Sequence, residues 1–332
     1  MRTVGSVGSV RSVSLTQPTA PTSLNDLRAA AAALEGVAVR TPLVEAPELA
    51  RRLGVPVWLK CEQWQPIGAF KVRGAWTAVT RLPEAARRAG VIAHSSGNHG
   101  RAVAWVARRL GLRAVIVMND NAPAVKIDAV RAEGAEVVLV DRYQRVKTAE
   151  DLAAREGLAM VPPFEHPHVI LGQGTCGLEI LEERPELAAL LVPIGGGGLL
   201  AGCCAAATAL GHSAELIGVE PEGAAKLSAA LAAGHPVPLE RTASIADGLL
   251  PVAVGRLPWE LIGQRVRRGL RISDDAIAAA VRFLFRTMGL RVEPSGAIAV
   301  AALLEGQWQP AGPVAAILSG GNVDPALFER LS

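Results

Sequence analysis

The spacing of hydrophobic residues divides the chain, from Ser23 onward, into two alternating kinds of segment. Short apolar runs are typical of buried strands, whereas longer segments with an apolar residue every three to four positions are typical of helices. Strands that alternate with helices predict an α/β fold with a parallel sheet covered on both faces. The predicted strands cover residues 57–59, 91–93, 114–118, 136–140, 190–194, 216–219 and 314–318.

The helical segments carry start and stop signals. Ser23 and Asp26 form a capping-box pattern, which predicts a helix from there through Leu34. Several helical segments end at a glycine, a residue that closes helices by adopting a left-handed conformation. The other predicted helices cover residues 100–110, 124–133, 147–156, 199–210 and 274–288.

Residues 1–21 lack the compact apolar core of a secretion signal and are predicted to form a disordered tail.

Charge and composition exclude several classes of protein. With 34 Lys and Arg against 31 Asp and Glu, the net charge of +3 argues against a nucleic-acid-binding surface. The four cysteines form no C-x-x-C pair and predict neither a zinc site nor a disulfide framework, which fits a reducing cytoplasm. Residues 187–214 carry no charged residue, but Pro193 and four consecutive glycines exclude a regular membrane helix there. We therefore expect a cytoplasmic protein that binds neither nucleic acid nor membrane.

Three glycine-rich segments follow predicted strands, the position at which open α/β sheets bind ligands. Four glycines at a strand-to-helix turn let backbone N–H groups surround a phosphate, assisted by the helix dipole, although a tight turn alone would use the same residues. Neither the dinucleotide fingerprint nor the Walker lysine motif occurs in the sequence. The three segments are Ser95-Ser96-Gly97-Asn98-His99-Gly100, Gly195-Gly196-Gly197-Gly198 and Ser319-Gly320-Gly321-Asn322.

Lys71 is a lysine in a mostly apolar segment at the predicted start of a helix. The positive helix end and partial burial both disfavour the ammonium form, which suits a lysine that reacts with a carbonyl group. A surface lysine that extends its amine into solvent would show the same local sequence. The segment alone leaves both interpretations open.

Together these segments resemble the fold-type-II pyridoxal-phosphate enzymes, specifically the threonine/serine dehydratase and serine racemase family. Residues 60–75 resemble the family's cofactor-lysine segment, and six further motifs follow in the family's order over nearly the whole chain after the tail. The resemblance implies an α/β fold like that of the tryptophan synthase β subunit, with two open parallel-type domains and pyridoxal phosphate in the cleft. The six motifs are residues 96–100 (SGNHG), 195–198 (GGGG), 218–221 (GVEP), 245–248 (IADG), 293–297 (EPSGA) and 319–322 (SGGN).

The resemblance also implies a role for each matching residue. Lys71 would bind the cofactor covalently and then act as the base at the substrate Cα, with Phe70 packed beside the cofactor ring. Asn98 would bind the phenolic oxygen of the ring, and Ser319 would face the pyridine nitrogen. The cofactor phosphate would lie in the loop Gly195, Gly196, Gly197 and Gly198. The substrate carboxylate would lie among Ser95, Ser96, Gly97, Asn98 and His99.

A neutral hydroxyl at Ser319 predicts the type of reaction. Without a carboxylate partner the ring nitrogen stays unprotonated and the ring becomes a weaker electron sink, which favours loss of a β-leaving group over transamination. The predicted reaction is α,β-elimination of a β-hydroxy amino acid, as in an L-threonine or L-serine ammonia-lyase, giving a 2-oxo acid and ammonia.

Ser96 keeps a second reaction open. Threonine dehydratases resemble Ser-Ala-Gly-Asn-His at this loop, whereas serine racemases resemble the Ser-Ser-Gly-Asn-His-Gly of this chain. A hydroxyl on the face opposite Lys71 could reprotonate Cα with inversion, or it could only bind carboxylate or cap the helix. Dehydratases of hydroxyaspartate or of hydroxyectoine-derived amino acids share similar loops, and Ala69, where the family commonly has serine, points to a non-standard substrate.

The metal site of the racemase-like relatives is expected to be absent. Glu220 matches the first carboxylate ligand of that site, but Lys226 stands where the pattern has an aspartate. A cation at this position would repel a divalent metal. We therefore expect no metal, with the Lys226 ammonium in its place beside Glu220.

The resemblance implies a division into two domains. Residues 22–89 and 161–332 would form a large cofactor-binding domain, and residues 90–160 an inserted small domain that closes over an amino-acid substrate and excludes water. The family is usually homodimeric, and a homodimer is expected here on that resemblance alone.

Overall fold

Two sheets organise the protein in the computed structural model, which describes residues 23–95 and 97–332. The strands are β1 (Leu43–Glu45), β2 (Val57–Cys61), β3 (Val91–His94), β4 (Ala114–Asn119), β5 (Glu136–Val140), β6 (Ala159–Met160), β7 (Ala189–Pro193), β8 (Glu215–Pro221), β9 (Arg268–Ile272) and β10 (Val314–Leu318). One sheet has the order β1-β2-β10-β7-β8-β9, and the other has the order β5-β4-β3-β6. All seven predicted strands are present, so the predicted α/β class is confirmed.

Helices separate most of these strands in the chain and cover the sheets. They are α1 (Leu24–Ala32), α2 (Pro47–Leu53), α3 (Lys71–Thr80), α4 (Glu84–Ala89), α5 (Asn98–Leu110), α6 (Ala124–Arg131), α7 (Arg145–Glu156), α8 (Pro167–Glu183), α9 (Gly198–Ala209), α10 (Lys226–Ala233), α11 (Arg256–Arg265), α12 (Asp274–Met288), α13 (Pro294–Glu305) and α14 (Pro325–Leu331). Ser23 caps α1 by accepting a hydrogen bond from the Asp26 N–H, but the helix ends at Ala32, two residues before the predicted Leu34.

The two sheets draw on different parts of the chain. The second sheet is built from strands between Val91 and Met160, and the first from strands on both sides of that segment. Helix α3 packs against α5 on one side and α8 on the other, so the segment that begins at Lys71 lies between the two groups of elements. The division into a large and a small domain stays a prediction, and the tail expected at residues 1–21 lies outside the described residues.

In the part of the chain that the structure describes, the paired strands are parallel except at one edge of the first sheet. There β1 runs antiparallel to β2, with Leu43 opposite Lys60. The hydrophobic pattern does not predict this strand because β1 is only three residues long. It also does not predict β9 at the other edge, where only alternate residues such as Leu270 and Ile272 are buried. An edge strand can expose one face, so it lacks a continuous apolar run.

The central strands are buried on both faces, which explains why they appear in the sequence as continuous apolar runs. Residues 187–214 form strand β7, a glycine loop and α9, as predicted. All four cysteines are buried and none forms a disulfide. Among the described residues, no helix combines the length and apolar character needed to cross a bilayer.

Candidate active site

The three glycine-rich segments all lie at the carboxyl ends of parallel strands. The Ser95 loop follows β3, the Gly195 loop follows β7 and the Ser319 loop follows β10. Backbone bonds join the lysine segment to the Ser319 loop, because the Phe70 N–H donates to Ser319 O at 3.1 Å and the Gly321 N–H donates to Gly68 O at 2.9 Å. The fold therefore connects the lysine segment directly to one of the predicted ligand-binding loops.

Lys71 is the first residue of α3 and is partly buried. Its Nζ donates to Pro163 O at 2.8 Å and lies 5.0 Å from the centre of the Phe70 ring. Among the described residues no carboxylate lies within 4.0 Å of this amine, so burial lowers the pKa of Lys71 to about 8 without opposition. A larger share of the amine is therefore neutral near physiological pH than for an ordinary lysine, as a nucleophile requires.

The four glycines between β7 and α9 form a cradle that admits no side chains. A Cβ on Gly196 would lie 2.2 Å from the Phe164 ring, and a Cβ on Gly195 would lie 2.9 Å from Gly248 O. Gly197 has φ +99°, a left-handed conformation that favours glycine. Within the described part of the chain, the N–H groups of Gly195, Gly196 and Gly197 donate to no other backbone group. The N–H groups in the first turn of α9, which begins at Gly198, likewise have no acceptor within the helix. Free amides at a helix N-terminus fit a phosphate.

Asn98 is held from two sides at the start of α5. Its Nδ2 donates to Glu293 Oε1 at 2.6 Å, and its Oδ1 accepts from Asn322 Nδ2 at 2.8 Å. Gly320 lies against this pair, since a Cβ there would be 2.4 Å from Glu293 Oε1 and 3.0 Å from Asn98 Nδ2. Burial, followed by the negative charge of Asp247, raises the pKa of Glu293 to about 7. Nothing in the sequence pattern assigned a role to Glu293.

Ser319 is buried at the end of β10. Its hydroxyl donates to Ser295 O at 3.3 Å, and a hydroxyl can rotate toward another acceptor. Among the described residues, neither Asp nor Glu forms a hydrogen bond or an ion pair with Ser319. The polar group at this position is therefore neutral, as the predicted role beside a pyridine nitrogen requires.

The predicted carboxylate loop is only partly described, because Ser96 lies outside the described residues. Ser95 Oγ accepts from the Gly97 N–H at 3.3 Å, and Gly97 caps α5. The His99 ring is buried, with Nε2 2.8 Å from Val161 O. Burial, and to a lesser extent the charge of Lys71, lowers the pKa of His99 to about 3, so the ring is neutral. Its Nε2–H donates to Val161 O. Its backbone N–H, rather than its ring, is the group suited to a carboxylate.

Comparisons with known proteins agree with this geometry. Residues 34–320 match the model of the family described as pyridoxal-phosphate dependent enzyme. The chain belongs to this family. The L-threo-3-hydroxyaspartate ammonia-lyase of Pseudomonas sp. is 40% identical over 310 residues, covering 92% of this chain and 97% of that protein. Maize serine racemase superposes with a TM-score of 0.89 at 34% identity, covering 93% of this chain and 96% of that one. The T.th. threonine deaminase superposes with a TM-score of 0.86 at 39% identity, covering 91% of this chain and 99% of that one.

The family assignment confirms the predicted resemblance, the fold-type-II architecture and the cofactor, pyridoxal phosphate. The site fits that cofactor through the amine of Lys71, which pairs with no carboxylate of residues 23–95 and 97–332, and through a glycine cradle at a helix N-terminus. The roles of the individual side chains stay predictions. Bound here, the cofactor supplies an electron sink for carbanion chemistry at the substrate Cα.

Arg145 lies near the carboxyl ends of two strands of the second sheet, and the sequence pattern assigned it no role. It opens α7, and its Nη1 donates to Asn119 Oδ1 at 3.1 Å, at the carboxyl end of β4. Burial, followed by the charge of Arg145, lowers the pKa of His94, the last residue of β3, to about 4. No carboxylate of the described residues pairs with Arg145, and its Nε has no partner there. A cation at a helix N-terminus opposes the helix dipole, and that mismatch is the one signal the sequence offers.

Lys226 and Glu220 lie together, as the sequence predicted. Both side chains are fully buried, and Lys226 Nζ is 3.8 Å from Glu220 Oε2. The ammonium also donates to Ala224 O at 2.9 Å and Leu249 O at 3.0 Å. Burial lowers the pKa of Lys226 to about 8, although Glu220 acts in the opposite direction. Among the described residues no group of three candidate ligands is placed to hold a metal ion, and metal independence stays a prediction.

Proposed function

We propose that this protein is an ammonia-lyase that eliminates the β-hydroxyl group of an amino acid, of the L-threonine or L-serine dehydratase type, giving a 2-oxo acid and ammonia. The observation that carries the proposal is Lys71, an amine with no anionic partner among the described residues, with its pKa lowered to about 8. Such an amine is suited to react with the cofactor aldehyde and then to remove a proton from Cα.

The other side chains complete a site for this reaction. Asn98 Nδ2 would donate to the phenolic oxygen of the ring, the cradle of Gly195 to Gly198 would hold the phosphate, and Phe70 would pack beside the ring. The loop of Ser95, Ser96, Gly97 and His99 would bind the substrate carboxylate. Ser319 presents a neutral hydroxyl to the ring nitrogen, which favours elimination over transamination.

A second cationic group favours a particular substrate. The Arg145 guanidinium lies at the carboxyl ends of β3 and β4, beside the Ser95 loop, and no described carboxylate neutralises it. A substrate with a second carboxylate would supply the missing charge, and the guanidinium fork matches a carboxylate. Among the predicted substrates, 3-hydroxyaspartate has this group, and the Pseudomonas relative is named for that compound.

Racemisation is the second candidate, and the named similarity to maize serine racemase supports it. It requires a proton donor on the face of Cα opposite Lys71, for which Ser96 is the candidate from the sequence. A Ser96→Ala variant separates the two reactions: loss of racemisation with elimination retained would assign Ser96 to reprotonation.

Proton NMR of the cofactor-loaded protein in D₂O tests the proposal with L-serine, L-threonine and L-threo-3-hydroxyaspartate. A keto acid from any of them supports the lyase, and the fastest substrate identifies the side chain. Deuterium at Cα with little keto acid would instead favour the racemase.

The Arg145→Gln variant tests the preference for a dicarboxylate. With L-threo-3-hydroxyaspartate it should lower kcat/KM about 10- to 100-fold, the range for one charged hydrogen bond, while serine turnover changes little. Equal losses on both substrates would contradict the assignment of Arg145.

The homodimer, the cytoplasmic location and the closing small domain belong to the same proposal, since they rest on the family resemblance. Sedimentation of the purified protein tests the dimer, and fractionation of the source cells tests the location. Small-angle scattering with and without an inert dicarboxylate tests closure.

A further inference from the structure

A line of hydrogen bonds leads from Asn98 to a charged residue on the same helix. Arg101 lies one turn after Asn98 on α5, and its Nη1 donates to Asn322 Oδ1 at 3.1 Å. Asn322 Nδ2 then donates to Asn98 Oδ1 at 2.8 Å, and Asn98 Nδ2 donates to Glu293 Oε1 at 2.6 Å. These bonds join a guanidinium to a buried carboxyl group through two amides.

The chemistry of arginine helps to fix the direction of these hydrogen bonds. An amide side chain presents a donor and an acceptor at similar positions, so two facing asparagines alone can be arranged in two ways. Arginine can only donate and the carbonyl of Ile67 can only accept, so together they turn Asn322 Oδ1 toward Arg101 and Nδ2 toward Ile67 O and Asn98. Asn98 then turns Oδ1 toward Asn322 and Nδ2 toward Glu293. Rotation of the Asn98 amide by half a turn would place two donors together at Asn322 and two acceptors together at Glu293.

Two further contacts keep Arg101 and Asn322 in place. Arg101 Nε lies 3.5 Å from Oε1 of Glu133, a buried carboxylate whose Oε2 is 2.9 Å from Arg108 Nη2. Asn322 Nδ2 also donates to Ile67 O at 2.8 Å. The guanidinium is thus held between a carboxylate and the first amide of the line.

Gly68 gives the Asn322 side chain the space it needs. A Cβ at Gly68 would lie 2.6 Å from Asn322 Oδ1, the atom that accepts from Arg101, and Gly68 has φ +72°. The absence of a side chain at Gly68 therefore lets Asn322 accept the hydrogen bond from Arg101.

We propose that Arg101 is a positioning residue that fixes the Asn98 amide so that Nδ2 faces the cofactor. Nδ2 carries two hydrogens, of which one binds Glu293 and the second is left for the phenolic oxygen of pyridoxal phosphate. A donor at this oxygen stabilises its phenolate form. The inference rests on the role proposed above for Asn98, and it adds a residue that does not itself touch the cofactor.

The absorption spectrum of the bound cofactor tests this inference, since the phenolate and phenol forms absorb in different bands. Arg101→Met removes the donor, and we expect the phenolate-to-phenol ratio to fall about fivefold, the effect of one hydrogen bond. Asn98→Ala should lower the ratio in the same direction, and the double variant should fall no further than Asn98→Ala alone. The matched control is Arg108→Gln, which also loses a Glu133 contact but does not reach Asn322 and should keep the wild-type ratio.

The outcomes separate this inference from the proposed role of Asn98. A shift with Asn98→Ala but none with Arg101→Met, or additive shifts in the double variant, would overturn the positioning role alone. No shift with either variant would overturn both. If Arg101→Met does not fold, Arg101→Gln serves instead: glutamine can donate or accept, so it no longer imposes a direction, and a ratio below that of wild type is expected. A wild-type ratio in a folded Arg101→Gln would count against the inference.

Discussion

Lys71 and Arg73 lie two residues apart on α3, yet their surroundings differ in one decisive respect. Arg73 is fully buried, and its guanidinium donates to Glu62 from Nε at 2.8 Å and to Glu179 from Nη1 at 2.6 Å. Lys60 Nζ also donates to Glu179, at 2.6 Å, so two cations and two anions balance. Lys71 has a backbone carbonyl and no described carboxylate near its amine.

The pKa values show what an opposite charge does. Burial by itself lowers the pKa of Arg73, but the charge and hydrogen bonds of Glu62 outweigh it, so the pKa lies well above its ordinary value. Burial by itself raises the pKa of Glu62, and Arg73 reverses that shift. At Lys71 no charge in the described part of the chain opposes burial, and the pKa falls to about 8. In a balanced buried cluster each charge has a partner whose loss would be costly, whereas a buried group without a partner keeps its reactivity for a ligand.

Lys71→Ala gives the largest expected effect. Removal of the amine eliminates both the cofactor linkage and the base, so turnover should fall by at least about 10³-fold. Stability of the apoprotein in urea should hardly change, because Lys71 takes part in no ion pair among the described residues. Keto-acid release and urea unfolding measure the two properties. Full turnover in this variant would remove Lys71 from the proposed mechanism.

Arg73→Met should show the reverse pattern. It leaves Glu62 and Glu179 buried with only Lys60 to balance them, and breaking a buried pair in this way costs about 3–5 kcal/mol. Urea unfolding of the apoprotein measures the loss. The matched control is Arg113→Gln, which breaks exposed pairs and should change stability little. Equal stability of the two variants would contradict the distinction drawn here.

The pH dependence of cofactor capture sharpens the comparison at Lys71 alone. Only the neutral amine reacts with an aldehyde, and a pKa lowered to about 8 makes the neutral fraction rise about tenfold between pH 7 and pH 9. The rate at which apoprotein takes up pyridoxal phosphate should follow this rise and level off above pH 9. Stopped-flow absorbance measures it. A rate still rising steeply above pH 10 would indicate an ordinary lysine.

The sequence predicts the parts of this site that are local in the chain. The glycines at Gly195 to Gly198 and the lysine at Lys71 each carry their signal within a few residues, because strand ends and helix starts are local patterns. The partners of Asn98 are different, since Glu293 and Asn322 are 195 and 224 residues away in the chain. Single residues of ordinary type carry no signal for such contacts, so only folding reveals them.

Arg73 is a second residue whose surroundings cannot be predicted from its local sequence. The sequence pattern places it in the cofactor-lysine segment without indicating that its charge is fully buried. Its partner Glu179 comes from α8, whose residues are apolar or small on most sides and give no amphipathic pattern to orient them. Burial of a charge depends on which helices pack together, and that information is not local.

Lys226 provides the last test, because it is a buried lysine that does have a carboxylate nearby. Its Nζ lies 3.8 Å from Glu220 Oε2 and donates to two backbone carbonyls, so a positive charge already lies beside this carboxylate. We therefore expect turnover to stay within about twofold when a chelator, Mg²⁺ or Ca²⁺ is added, since a divalent ion would meet the repulsion of the ammonium.

A Lys226→Met variant makes this expectation sharper. It leaves the Glu220 carboxylate buried with only the N–H groups of Leu227 and Ser228, and should lower Tm. Mg²⁺ or Ca²⁺ should then raise the Tm of the variant but not that of the wild type. Lys226→Arg keeps the charge and is the control for it. Wild-type turnover that disappears with chelator would show that a metal binds despite Lys226, and the charge balance at Glu220 would need another explanation.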